Sequence, residues 1–109
     1  MDDIYTLKYT DNARTHLKRH FHAHKKVQGL EAAKNLLQYI TEKTNTLLTF
    51  PELGPRSNYP YFKNEIYRLL FIKHLVLVYT ISTKSKTIYI RAIFDQRQNY
   101  LKVLGSKTI

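Results

Sequence analysis

The stretch that decides the fold is "EIYRLLFIKHLVLVYTISTKSKTIYIRAIF", Glu65 to Phe94. It holds three segments rich in β-branched and aromatic residues: "EIYRLLFI" (Glu65–Ile72), "LVLVYTI" (Leu75–Ile81) and "TIYIRAIF" (Thr87–Phe94). The separators "KH" and "STKSK" have hairpin loop lengths, so the three segments read as an antiparallel meander. The middle segment is apolar throughout, as expected of a central strand covered on both faces. Alternation places Tyr67, Leu69 and Phe71 on one face and Arg68, Leu70 and Ile72 on the other, so Arg68 projects from an otherwise apolar row. By the same rule Tyr89, Arg91 and Ile93 are expected to share a face of the last strand.

Upstream, "IYTLKYT" (Ile4 to Thr10) alternates in the manner of a half-buried first strand. Asp11 or Asn12 is placed to cap a helix whose apolar positions Ala13, Leu17, Phe21 and His24 recur at three- and four-residue steps, ending near Lys26. Gly29 breaks that pattern. Leu30, Ala33, Leu37, Ile40, Thr44 and Leu47 then repeat at helical spacing until "FPELGP" stops the second helix. Residues 51–64, "PELGPRSNYPYFKN", contain all three prolines and form an irregular connector. The expected class is α+β in the order β-α-α-β-β-β, a helical hairpin packed on a small antiparallel-rich sheet, with a short C-terminal helix around Asn99 to Leu104. Neither helix buries enough surface alone, so the hairpin needs the sheet.

With 109 residues and 43% hydrophobic content, the chain fits one domain over residues 1–109 with one modest core. Eighteen Lys and Arg against 8 Asp and Glu give a formal net charge of +10, which favours anionic partners: nucleic acid, ribosome or an acidic protein. There is no cysteine, which excludes a disulfide framework and a thiolate zinc site. The N-terminus "MDDIYTLKYT" is acidic and alternating, unlike a signal peptide, and no apolar run approaches the roughly 20 residues of a membrane span. A cytoplasmic protein without a membrane partner is expected.

His16, His20 and His24 stand four residues apart on one helical face, a spacing able to chelate zinc or nickel. No carboxylate or cysteine completes the set, so the expectation is a solvated histidine face and no metal or other cofactor. Lys18, Arg19, Lys25 and Lys26 on the same helix suit contact with phosphates or an acidic partner, which demands no exact spacing. The glycines are isolated, so no phosphate-cradling loop is present. Carboxylate-pair catalysis lacks its residues too, since Glu65 and Asp95 are the only acids in or beside the meander and sit in different segments. Lys63, Arg68, Arg91, Arg97 and Tyr100 are candidates to converge on a phosphodiester, the guanidiniums stabilising charge on phosphorus and a tyrosine or lysine moving protons. The same arginines serve equally to form surface pairs or to bind a partner's carboxylates.

The helical hairpin, "FPELGPR" (Phe50–Arg56), "IYRLLFIKHLVLVYTI" (Ile66–Ile81) and "IYIRAIFDQRQN" (Ile88–Asn99), in this order, resemble the RelE/ParE superfamily of bacterial type II toxins over nearly the whole chain. The resemblance implies either of two activities. RelE-like members cut messenger RNA on the ribosome without a metal, using a basic set and a tyrosine near the C-terminus; ParE-like members lack that set and poison DNA gyrase. Carried over, Arg68 matches a basic second-strand position and Arg97 the arginine after the last strand. Leu70 and Val76 stand where further basic residues would be expected, and Tyr100 lies early for the terminal tyrosine. "KHLVLVY" is also closer to ParE-like members. The resemblance therefore implies a gyrase-directed toxin neutralised by an antitoxin with an acidic C-terminal segment, operator DNA being reached only through that antitoxin. Arg68, Arg91, Arg97, Tyr100, Lys18, Arg19, Lys25 and Lys26 would then be binding residues. The alternatives are a ribosome-dependent mRNA endoribonuclease using Arg68, Arg97, Tyr100, Arg91 and Lys63, and a non-toxic binding or co-repressor module.

Overall fold

The structure, a computed structural model, describes residues 4–57 and 66–98. Its elements are β1 (Thr6–Tyr9), α1 (Asp11–Gln28), α2 (Leu30–Asn45), a 3-10 turn (Thr46–Leu48), β2 (Arg68–Ile72), β3 (Leu75–Ser82) and β4 (Thr87–Asp95). The order β-α-α-β-β-β is as expected. The proposed helix at Asn99–Leu104 lies outside the described residues, as do Lys63 and Tyr100.

The sheet runs β1-β4-β3-β2, with the meander antiparallel and β1 parallel to β4, Thr6 opposite Thr87 and Tyr9 opposite Ile90. Residues Leu75 to Thr80 of the central strand are all buried, with the helices against one sheet face and a second apolar cluster on the other. On the helix side, Ala13, Leu36, Ile40 and Leu47 pack against Leu70, Ile72, Leu77, Tyr79, Ile88, Ile90 and Ile93. Tyr67, Leu69, Val76, Val78, Ala92 and Phe94 form the opposite cluster.

Strict alternation fails once, in β4. Tyr79 pairs with Ile90 but Val78 pairs with Ala92, leaving Arg91 as an extra residue. This β-bulge shifts the phase of every later side chain. Ile93 therefore joins Ile88 and Ile90 on the helix side instead of sharing a face with Tyr89 and Arg91.

The cap of α1 also differs from expectation. Thr10, not Asp11 or Asn12, is the N-cap: its backbone is extended because its N–H still bonds the Ile90 carbonyl at 3.0 Å, and its hydroxyl accepts from the Ala13 N–H at 3.1 Å. Asn12 instead donates its side-chain amide to the Arg91 carbonyl at 3.1 Å. Between the helices, Gly29 has φ 98° and ψ 167°, a backbone region essentially confined to glycine, which lets α2 turn back at once.

The histidine face is only partly solvated. His16 is buried, its Nδ1 accepting the Ile93 N–H at 3.0 Å, and His20 Nε2 lies 3.0 Å from the Ile93 carbonyl. His24 stacks on His74, ring centroids 5.6 Å apart. The stripe is polar because it lies on a strand edge that still has hydrogen bonds to make.

Candidate binding groove

Where β2 begins, the chain entering from α2 is tied to the sheet by two side chains from facing positions. Arg68 and Tyr79 are register partners on β2 and β3. The Tyr79 hydroxyl donates to the Pro51 carbonyl and accepts from the Gly54 N–H, both at 2.8 Å. Arg68 Nη1 donates to the Gly54 carbonyl at 2.8 Å and the Glu52 carbonyl at 3.3 Å, while Nη2 lies 3.7 Å from the Glu52 carboxylate. Burial pushes the Tyr79 phenol pKa up, the Gly54 hydrogen bond opposing it. The chain passes so close to β2 that a Cβ on Gly54 would stand 2.3 Å from the Leu69 carbonyl oxygen. Beyond it, Leu69 N–H bonds the Pro55 carbonyl and Ser57 N–H bonds the Tyr67 carbonyl, so this segment lies along β2 as a partial outer strand.

The anchored segment forms one wall of an open groove of about 1070 Å³. Phe50, Leu53 and Ile66, each more than half exposed, give it apolar footholds, and Arg56, Arg68 and Arg91 give it positive charge. Arg91 reaches the groove from the bulge. Its Nε donates to the Thr80 hydroxyl at 3.0 Å and its guanidinium lies 5.5 Å from the Tyr89 ring centroid. Such a surface is complementary in character to an extended or helical segment bearing both apolar and acidic side chains.

Arg97 does not join this set. Leu75 pairs with Asp95 whereas Tyr79 pairs with Ile90, four residues along β3, which is about 13 Å at the usual rise per strand residue. Arg97 instead closes the turn after β4 on Asp95, its Nε donating at 2.9 Å and its backbone N–H at 2.8 Å to the same carboxylate oxygen. The Arg97 hydrogen bond holds the Asp95 carboxyl far below the ordinary carboxylate range, and the carboxylate raises the guanidinium pKa in return. Lys18, Arg19, Lys25 and Lys26 are exposed along α1. Among the described residues no three His, Cys, Asp or Glu side chains are placed to hold a metal ion. Nor is any helix there long and apolar enough to cross a membrane.

The groove thus joins Arg68 and Arg91 and leaves Arg97 apart. Sequence reasoning missed Arg56, Tyr79, Phe50 and Leu53. The available signal for three of them was "FPELGPR" itself, a rigid segment between helix and strand carrying exposed apolar groups and an arginine. Tyr79 gave none, because a tyrosine in an apolar run reads as packing.

Comparison with known proteins decides the family. The family model described as the ParE toxin of the type II toxin-antitoxin system, parDE, matches residues 7–100. The chain belongs to the ParE toxin family. Among solved structures, 15 chains match. One, from the chromosomal ParDE toxin-antitoxin system of P. aeruginosa, superposes with a TM-score of 0.69 at 21% identity, covering 86% of this chain and 98% of that one. Another, from the RelBE2 toxin-antitoxin complex of Mycobacterium tuberculosis, gives 0.59 at 18% identity, covering 84% and 98%. At such identities both show a shared fold. No curated protein sequence matches. A ParE-family chain with the RelE/ParE architecture is what the ordered motifs led one to expect.

Proposed function

We propose that this ParE-family chain is a growth-inhibiting toxin that acts by binding, with DNA gyrase as its target, and is neutralised by an antitoxin whose acidic segment lies in the groove. The observation that carries this reading is the commitment of the arginines. Arg68, its side chain only 12% exposed, spends its guanidinium on the Glu52 and Gly54 carbonyls, and Arg97 is held by Asp95 about 13 Å away along the sheet. A ribonuclease without a metal needs several cations converging on one phosphate, each such donor typically supplying about 2.7 to 4 kcal/mol to the transition state. The apolar footholds beside Arg56 and Arg91 suit a protein partner better. An acidic antitoxin segment would anchor on Phe50, Leu53 and Ile66 and place its carboxylates against the arginines, with the net charge of +10 steering the encounter.

The test is a pulse of expression in bacteria without antitoxin, following DNA, RNA and protein synthesis separately, together with purified gyrase and supercoiled plasmid. DNA synthesis is expected to stop first, with an SOS response and gyrase-linked breaks. Protein synthesis stopping within minutes, with codon-positioned RNA cuts, would instead establish the endoribonuclease. Growth indifferent to expression would leave a co-repressor module.

A further inference from the structure

We propose that His16 and His20 form an acid-labile clasp that holds α1 against the free edge of β4 only while His16 is uncharged. The clasp exists because β1 is too short. It pairs with β4 only as far as Ile90, and the chain then turns into α1, so the later residues of β4 face a helix where a neighbouring strand would otherwise lie. A strand edge with nothing beside it leaves backbone N–H and C=O groups unpaired, which is costly where water is excluded. Side chains of the cap and helix fill the gap in order. The Thr10 hydroxyl and the Asn12 amide take the Arg91 carbonyl, and the two imidazoles take both polar groups of the Ile93 peptide.

The two histidines are not equivalent. His16 Nδ1 accepts a backbone N–H, which requires a lone pair, so the ring is neutral with its proton on Nε2. His20 Nε2 faces a carbonyl and must donate, so its hydrogen bond needs no lone pair on that nitrogen. A proton added to His16 therefore sets two N–H donors against each other across 3.0 Å, in a buried position. The groups around it oppose that proton. On α1 these are Arg19 and His20; from β4 His16 meets the Ile93 peptide and the Phe94 ring, centroid to centroid 5.4 Å. Asp95, the next residue of β4, is occupied by Arg97, and its Coulombic attraction acts on His74, which stacks on His24. Burial, then Arg19 and His20, lower the His16 pKa.

The sign follows. A histidine with a lowered native pKa contributes stability that is complete above the ordinary value of about 6.5 and is lost as pH falls below it toward the native value. Near neutrality the clasp is shut, and acid opens it.

The test is amide hydrogen exchange followed by NMR on the full chain. Between about pH 7.5 and pH 5, Ile93 protection is expected to fall severalfold relative to Leu77 of β3, the direction that loss of the His16 lone pair dictates. His16→Asn, whose Oδ1 takes the place of Nδ1 without titrating, should keep Ile93 protected across the range. Constant protection at Ile93, a fall shared equally by Leu77, or an undiminished fall in the variant would each overturn the proposal. Should the variant not fold, nitrogen shifts of His16 in the unaltered chain decide the matter. The proton must reside on Nε2 near pH 7.5, and a proton on Nδ1 would refute the clasp.

Discussion

Tyr79 and Gly54 meet at the point where the connector is pinned to the sheet, and each does something no other residue type would do there. Removing the hydroxyl in Tyr79→Phe leaves the buried Gly54 N–H and the Pro51 carbonyl without that partner. A loss of about 1–3 kcal/mol is expected from urea unfolding, the usual cost of an orphaned buried polar group. Gly54→Ala should cost more, about 3 kcal/mol or above, since the added Cβ meets the backbone of Leu69 and neither chain can give way without breaking their hydrogen bonds. At the other end of the sheet, Asp95 titrates far below an ordinary carboxylate because of Arg97. In Arg97→Gln its carboxyl should move upward toward the ordinary value when followed by carbon NMR. An unmoved titration would show that the Arg97 side chain is not the cause.

Elements show which parts of this fold local chemistry can announce. The meander was legible because apolar and β-branched runs of strand length are separated by hairpin-length loops, and the helices because their apolar positions keep a helical period. The place of β1 was not, since its parallel pairing with β4 joins residues 81 apart, Thr6 and Thr87, through no local pattern. The bulge at Arg91 escaped as well: one extra residue alters the phase of Ile93 without altering composition. Helical spacing put His16, His20 and His24 on one face but could not say where that face points, and a polar strand edge attracts polar side chains inward. The groove was half legible, as Arg68 and Arg91 stand out in apolar strands while Arg97 stands out equally and is used elsewhere. Gly29 offers a clean check on the hairpin. A Cβ there meets nothing within 4 Å, so Gly29→Ala isolates backbone strain, and about 1–3 kcal/mol should be lost in thermal or urea unfolding.

For the whole molecule, the charge of +10 should show in kinetics before it shows in equilibrium. Arg56 is exposed at the groove, so Arg56→Glu should slow association with the proposed acidic antitoxin and flatten its salt dependence, leaving dissociation nearly unchanged in surface-binding experiments. A large rise in the dissociation rate would mean instead that Arg56 is buried in the complex. One further property follows from where β4 sits. The strand made last among the described elements lies between β1 and β3, so the sheet cannot close until the ribosome has released Asp95. A nascent chain halted before Thr87 can form its helices but lacks the strand that joins the first element to the rest. Stalled chains of increasing length should therefore stay protease-sensitive until β4 emerges. An interrupted message then yields no finished sheet, only helices without the strand that would tie them to the first element.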